Sequence, residues 1–367
     1  MLKKILRKIH LWLGLITGLL VFIIAITGCF YAFQDEIQNA TQPYRFIAGK
    51  PTNILLPQTI QNIAQQALPN KTLHSIKYYN DEHAVEVTFY QHQPKYHYKM
   101  YVHPSTAKVL HIQNMDEGFF SFILKGHMYL WLPEDIGRPI VLVVTIVFAI
   151  MVISGLILWW PKQKNVVKNR LWFVWKNTTS FKRKNWDIHS IVGFYSCAFA
   201  LLFIVTGLVW VMPKFAQTYH SLFGGKKSMV YTEGISSPSH IKAAQPLNTL
   251  FLSYKNQRFA NLEIHPPETD SSSILVVTNP SNATYWQSNY VFHNQYNLQQ
   301  IPVNHIWSSY QQANTADKLL RLNYDLHVGS AWGIWGKSIM CLASLLIASL
   351  PITGFMIWKG RGFKRHN

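Results

Sequence analysis

Four stretches without a single Asp, Glu, Lys or Arg constrain this chain more than any other feature: residues 9–34, 139–161, 188–213 and 338–358. Each is long enough to cross a hydrocarbon core, which takes about 20 helical residues. A segment in lipid must satisfy its own backbone hydrogen bonds, so each run reads as a transmembrane helix. Composition agrees, because 49% of the 367 residues are hydrophobic and only 14% are charged, less charge than an ordinary soluble domain carries.

Lysine and arginine set the orientation. Lys3, Lys4, Arg7 and Lys8 precede the first span. Lys162, Lys164, Lys168, Arg170, Lys176, Lys182, Arg183 and Lys184 fill the link between the second and third. Lys359, Arg361, Lys364 and Arg365 follow the fourth. Short, strongly basic segments stay inside. The expected order is therefore a helix at 9–34, an outer segment at 35–137, a helix at 138–161, an inner linker at 162–187, a helix at 188–213, a second outer segment at 214–336, a helix at 337–358 and an inner tail at 359–367. A net charge of +18 would also suit nucleic acid. However, 16 of the 34 basic residues lie in the three inner segments, so the excess reads as topology and no nucleic-acid partner is expected.

Cys29, Cys197 and Cys341 all fall within spans, and the outer segments have no cysteine. No disulfide framework is expected. The run Ile26-Thr27-Gly28-Cys29 looks like a lipoprotein cleavage site. Yet Ser154-Gly155, Thr206-Gly207 and Thr353-Gly354 occupy similar places in the other spans, so an uncleaved first helix is expected.

The spacing of these residues predicts an internal repeat. His10, Gly14 and Thr27-Gly28 in span one match His189, Gly193 and Thr206-Gly207 in span three at identical offsets. His127, Gly137, Ser154-Gly155 and Trp159 match His327, Gly336, Thr353-Gly354 and Trp358, with one residue of difference between histidine and first glycine. Residues 1–165 and 182–367 thus read as two parallel copies of helix, outer domain, helix. The fold expected is an α-helical membrane protein with four transmembrane helices and a small α+β domain in each outer segment. A helix is predicted at 57–68 with strands at 72–79, 84–91 and 96–103, and a helix at 240–254 with strands at 259–265, 273–278 and 288–293. Residues 118–132 read as an interfacial segment. Neither outer domain shows a nucleophile–base triad or a metal-ligand cluster.

Of 16 histidines, four recur at repeat positions on the edges of apolar helices: His10, His127, His189 and His327. One such residue would be an ordinary interfacial side chain. Four related by a repeat are a functional pattern, because polar groups near a span are costly. His10 and His189 fall at the inner level, His127 and His327 at the outer. A two-fold axis along the membrane normal would bring each pair together, and two facing imidazoles are the axial ligands of a b-type haem. Zinc would need further ligands. Gly28 and Gly207 lie about 27 Å beyond the inner histidines along their helices, near the outer pair. Gly155 and Gly354 fall near the inner pair. All four glycines are candidates to let a flat haem approach the backbone.

The patterns His10-Leu-Trp-Leu-Gly14 with Thr27-Gly28, His127 through Gly137-Arg138 to Ser154-Gly155-Leu-Ile-Leu-Trp159, and His327-Val-Gly329 through Gly336 to Thr353-Gly354 resemble the PepSY-associated transmembrane family. The run Tyr101-Val-His-Pro-Ser-Thr-Ala-Lys-Val-Leu110 resembles the closing strands of a PepSY domain, with Ala107, and in the second copy Tyr296 or Asn297, where such strands usually turn at glycine. The resemblance implies a bacterial inner-membrane ferric-siderophore reductase, with cytoplasmic termini, two periplasmic domains and two haem b groups. It implies electrons entering from a cytoplasmic-side or quinol donor and Fe³⁺ reduced to Fe²⁺ on a periplasmic siderophore. Two other readings compete. A PepSY-type membrane protein that regulates a peptidase leaves the four histidines unused. A permease is expected to carry broken helices and midplane polar groups, whereas here only Pro351 interrupts an apolar span centre, predicting a kink.

Overall fold

The computed structural model describes residues 1–51, 53–161, 167–239 and 243–362. Two compact units result: one from 1–34, 119–216 and 325–367, the other from 35–118 and 217–324.

In the first unit, four helices are long and apolar enough to cross a membrane: α1 (Leu2–Ala32), α5 (Glu134–Trp159), α7 (Phe181–Val211) and α11 (Gly333–Gly362). They extend past the charge-free cores because basic ends, such as Lys3 to Lys8 in α1, continue the helix. Ser180 caps α7 by accepting from the Arg183 amide, a side-chain partner for one of the orphan amides. Lys162 and Lys164 of the linker and Lys364 and Arg365 of the tail lie outside the described residues. Each of α1 and α7 packs against both α5 and α11. Hence α1 and α7 stand on one diagonal of a four-helix bundle, α5 and α11 on the other.

Small residues bring the backbones together, as membrane helices require. A Cβ on Gly18 would lie 3.2 Å from the Pro351 ring, and one on Gly14 3.1 Å from the Met151 methyl. Pro351 therefore fits into a glycine notch, and α11 runs unbroken through it. Hydroxyls inside the bundle donate to backbone carbonyls, of their own helix as Thr17 to Leu13 and Ser196 to Val192, or of a neighbour as Ser344 of α11 to Ala25 of α1, which satisfies them in apolar surroundings. Contrary to the expectation from sequence, a disulfide joins Cys29 of α1 to Cys341 of α11. Two neighbouring spans bring their own cysteines side by side, which outer segments without cysteine do not exclude.

Two short helices lead into the even-numbered spans. Helix α4 (Gly118–Tyr129) precedes α5, and α10 (Thr315–Val328) precedes α11. His127 and His327 sit in the last turns of these helices, so they are not on the spans themselves. The turns are tight: Leu130, Trp131 and Gly329 have positive φ. A side chain on Gly137 would strike the Tyr129 carbonyl, and one on Gly336 the Gly329 carbonyl. That close approach is the physical reason a glycine recurs there.

The second unit corrects the expectation of two outer domains. Strands β1 (Leu73–Tyr79), β2 (Val85–Gln91), β3 (Tyr96–Val102) and β4 (Val109–Asn114) pair with β5 (Asn261–His265), β6 (Ser273–Asn279), β7 (Asn289–Asn294) and β8 (Gln300–Ile301) in one antiparallel sheet, order β4-β3-β2-β1-β5-β6-β7-β8. The seam is β1 against β5, with Ile76 opposite Ile264 and Tyr78 opposite Leu262. Two half-sheets would each have exposed a strand edge, and joining them removes both edges. Helices α3 (Pro57–Ala67) and α9 (Pro246–Tyr254), each opened by a proline at its first turn, cover one face. There Ile60, Ala64, Ile76, Val87, Phe89, Met100, Leu250, Leu262, Ile264 and Val276 form a shared core across the seam. The predicted start of the second helix at 240–242 lies outside the described residues, and the helix begins at Pro246. The first closing turn uses Ala107 in the left-handed region, as the resemblance implied, but the second uses Leu298 instead of Tyr296 or Asn297.

Candidate functional site: two pairs of clamped histidines

The bundle brings the four singled-out histidines into two pairs. His10 of α1 faces His189 of α7 across the diagonal, with ring centroids 6.4 Å apart and planes at 85°. Near the opposite end, His127 and His327 face each other at 6.2 Å and 68°. All four rings are half-buried.

Each imidazole is held through Nδ1. His10 Nδ1 lies 3.0 Å from Ser154 Oγ, His189 Nδ1 2.9 Å from Thr353 Oγ1, and His327 Nδ1 2.7 Å from Thr206 Oγ1. His127 Nδ1 lies 2.8 Å from the Ile24 carbonyl. The direction of these bonds follows from what the partners already do. Ser154 donates to the Met151 carbonyl, Thr353 to its i−4 and i−3 carbonyls, and Thr206 to the Leu202 carbonyl. Their hydroxyl protons are spent, so they accept, and a carbonyl accepts always. Every ring is therefore fixed as the Nδ1–H tautomer, which leaves the Nε2 lone pair free.

The glycines complete the clamps. A Cβ on Gly28 would lie 2.8 Å from His127 Cε1, one on Gly155 3.3 Å from His10 Cε1, one on Gly354 3.3 Å from His189 Cε1, and one on Gly207 3.9 Å from His327 Cε1. The Ser/Thr-Gly pairs thus sit at the levels foreseen, but their immediate partners are the imidazoles. The glycine makes room for the ring, and in three of four cases the preceding hydroxyl fixes its tautomer. In the fourth, Thr27 donates to Ile23 and Ile24 carbonyls, and the Ile24 carbonyl also accepts the hydrogen bond from His127 Nδ1. Ser154, Thr206 and Thr353 stood out in the sequence only as members of the recurring Ser/Thr-Gly pairs, not as partners of the histidines, and Ile24 did not stand out at all. The recurrence of a hydroxyl residue before each glycine was the available signal.

This donor set fits a group that needs only axial ligands. Two metal–nitrogen bonds of about 2 Å each, with the reach from ring centre to nitrogen added on both sides, give roughly 6 Å between imidazole centres, as both pairs show. Among the described residues no group of three or more His, Cys, Asp or Glu side chains is placed to hold a metal ion, so a naked ion would lack further protein ligands. Haem supplies the remaining four donors itself. A hydrogen bond from the distal nitrogen to a fixed acceptor is also how ligating histidines are oriented.

Comparison with known proteins places the chain. A family described as the PepSY-associated TM region matches residues 7–361. The chain belongs to that family. The match covers both units, so the spans of this PepSY-associated protein and its sheet are parts of one family architecture. No curated protein matches the chain in sequence.

Proposed function

We propose that this membrane protein is a di-haem b electron carrier that takes electrons on the cytoplasmic side of a bacterial inner membrane and reduces ferric siderophore at the periplasmic face. The observation that carries the reading is the pair of facing, Nδ1-anchored imidazole couples near opposite ends of one bundle. A haem held between two imidazoles exchanges one electron at a time without binding a further ligand. The chain's own residues would supply the rest. Ser154, Thr353, Thr206 and the Ile24 carbonyl fix tautomer and ring plane, while the apolar bundle excludes water. The outer couple, His127 and His327, lies at the end where an acceptor outside the membrane would be met, and Fe²⁺ is held less tightly than Fe³⁺ by hard oxygen chelators. A peptidase-regulating role leaves this tautomer-fixing machinery without a purpose.

A visible spectrum of the purified protein tests the reading. Sharp reduced b-type bands are expected, with the haem-to-protein ratio near two. His127→Ala or His327→Ala is expected to remove about half of the haem. A reduced spectrum with no such bands would sink the proposal.

A further inference from the structure

The basic linker before α7 does not stay at the membrane edge. After the short helix α6 (Lys168–Leu171), the Leu171 carbonyl accepts from the Tyr195 hydroxyl, and Trp175 Nε1 donates to Asp187 Oδ2 at 3.2 Å. Tyr195 is six residues beyond His189 in α7 and Asp187 two residues before it. At 1.5 Å rise per residue these anchors lie about 9 Å deeper than His189 and about 3 Å shallower. The extended run 171–175 therefore lies antiparallel along α7, across the level of the His10/His189 pair. It turns Trp172 and Val174 outward, 69% and 57% exposed.

Two features of this strip lack partners. The amides of Phe173 and Val174 make no hydrogen bond among the described residues, a costly arrangement at membrane depth. Asp187 is buried, and its Oδ1 has no partner among the described residues, whereas Oδ2 is shared by Trp175 and Arg183. A buried carboxylate oxygen left bare calls for a donor. The indole of Trp175 lies over this carboxylate on one long hydrogen bond, with the Phe173 ring beside it and Lys184 Nζ over its face, and is itself 39% exposed, so it is the cover a ligand would have to displace.

We infer that the strip formed by Trp172, Phe173 and Val174 with Asp187 binds the head group of a lipid-soluble hydroquinone from the inner leaflet. The chemistry selects this class. One hydroxyl donates to Asp187 Oδ1, oxygen lone pairs accept from the free amides, the flat ring stacks on Trp172 or Phe173, and the tail stays in lipid. A phosphodiester offers acceptors only and has no donor for Asp187 Oδ1. The inference rests on the proposed function for its purpose, since it names the class of electron donor, but the binding stands apart from haem.

Purified full-length protein in detergent is labelled with a photoreactive azido-ubiquinone, reduced to the hydroquinone before illumination, and digested for mass spectrometry. Labelling confined to the peptides spanning 171–187 is expected, with competition by decyl-ubiquinol. Asp187→Leu is expected to weaken decyl-ubiquinol binding at least tenfold and Trp172→Ala several-fold. The exposed Trp172 site keeps the test open if the Asp187 variant misfolds. Labelling elsewhere, unchanged affinity in Trp172→Ala and any folded Asp187 variant, or competition by phosphatidylglycerol in place of the hydroquinone would overturn the inference. A b-type spectrum without labelling defeats this inference alone, and labelling without a b-type spectrum defeats only the haem reading.

Discussion

At the scale of single residues, the four glycines beside the histidines separate packing from chemistry. A methyl group on Gly28 would press into the His127 ring at 2.8 Å, whereas the same group on Gly207 would meet His327 at an ordinary 3.9 Å. Gly28→Ala is therefore expected to tilt His127 and reduce haem at that pair to a small fraction, and Gly207→Ala to leave it near the parent level. Haem-to-protein ratios of the two variants check this, and equal loss in both would assign the glycines to helix packing. In the sheet unit the informative residue is Glu86. Burial favours its neutral form, but the Lys99, Lys77 and Arg45 charges outweigh burial and pull its pKa down to about 2. Lys99 Nζ is 2.9 Å away and Tyr79 donates to the other oxygen. Because the folded value lies below the ordinary carboxylate value, the contribution is complete above about pH 4.5. It is lost as pH falls through 2. Glu86→Gln leaves Lys99 and Arg45 with an unpaired buried charge and is expected to cost on the order of 3 kcal/mol. Thermal unfolding at neutral pH measures it, and the difference from the parent should shrink below pH 3.

At the scale of elements, what the sequence concealed was mostly contact across long separations. Apolar runs and basic flanks gave the four spans, since length and charge alone decide them. Strands β1 to β3 and β5 to β7 were legible to within about two residues, because each alternates and ends at a turn. The β1–β5 seam was not, since nothing local in Ile76 or Ile264 says which edge it will meet. Helix α10 (Thr315–Val328) was not legible, because Asp317, Lys318, Arg321 and Asp325 break up its apolar positions and leave neither a span-length run nor a strand alternation. Among site residues, recurrence revealed the histidines and the Ser/Thr-Gly pairs, but which hydroxyl meets which ring depends on how helices neighbour one another. The seam carries its own test. Ile264 is fully buried, so Ile264→Ala is expected to cost about 2–5 kcal/mol. If the sheet is one cooperative element, hydrogen exchange of β1 amides should accelerate as much as that of β5. Protection retained in β1 would mean that the halves fold separately.

At the scale of the whole molecule, two couples are built from the same four helices in a crossed pattern. Helix α1 carries His10 near one end and the Ile24–Gly28 clamp for His127 near the other. Helix α7 carries His189 and the Thr206–Gly207 clamp for His327. Helices α5 and α11 clamp His10 and His189, and α4 and α10 deliver His127 and His327. Each couple thus depends on both halves of the chain, while the two couples share no side chain. Sites without shared partners add, and groups that act as a unit do not. His10→Ala combined with His189→Ala should therefore remove no more haem than either change alone. His10→Ala combined with His127→Ala should remove nearly all of it. Reduced-minus-oxidised spectra of the four single and two double variants measure the pattern. If the cross-end double retained as much haem as the same-end double, the couples would be a single site, and two separate electron stations at opposite ends of the bundle would have to be abandoned.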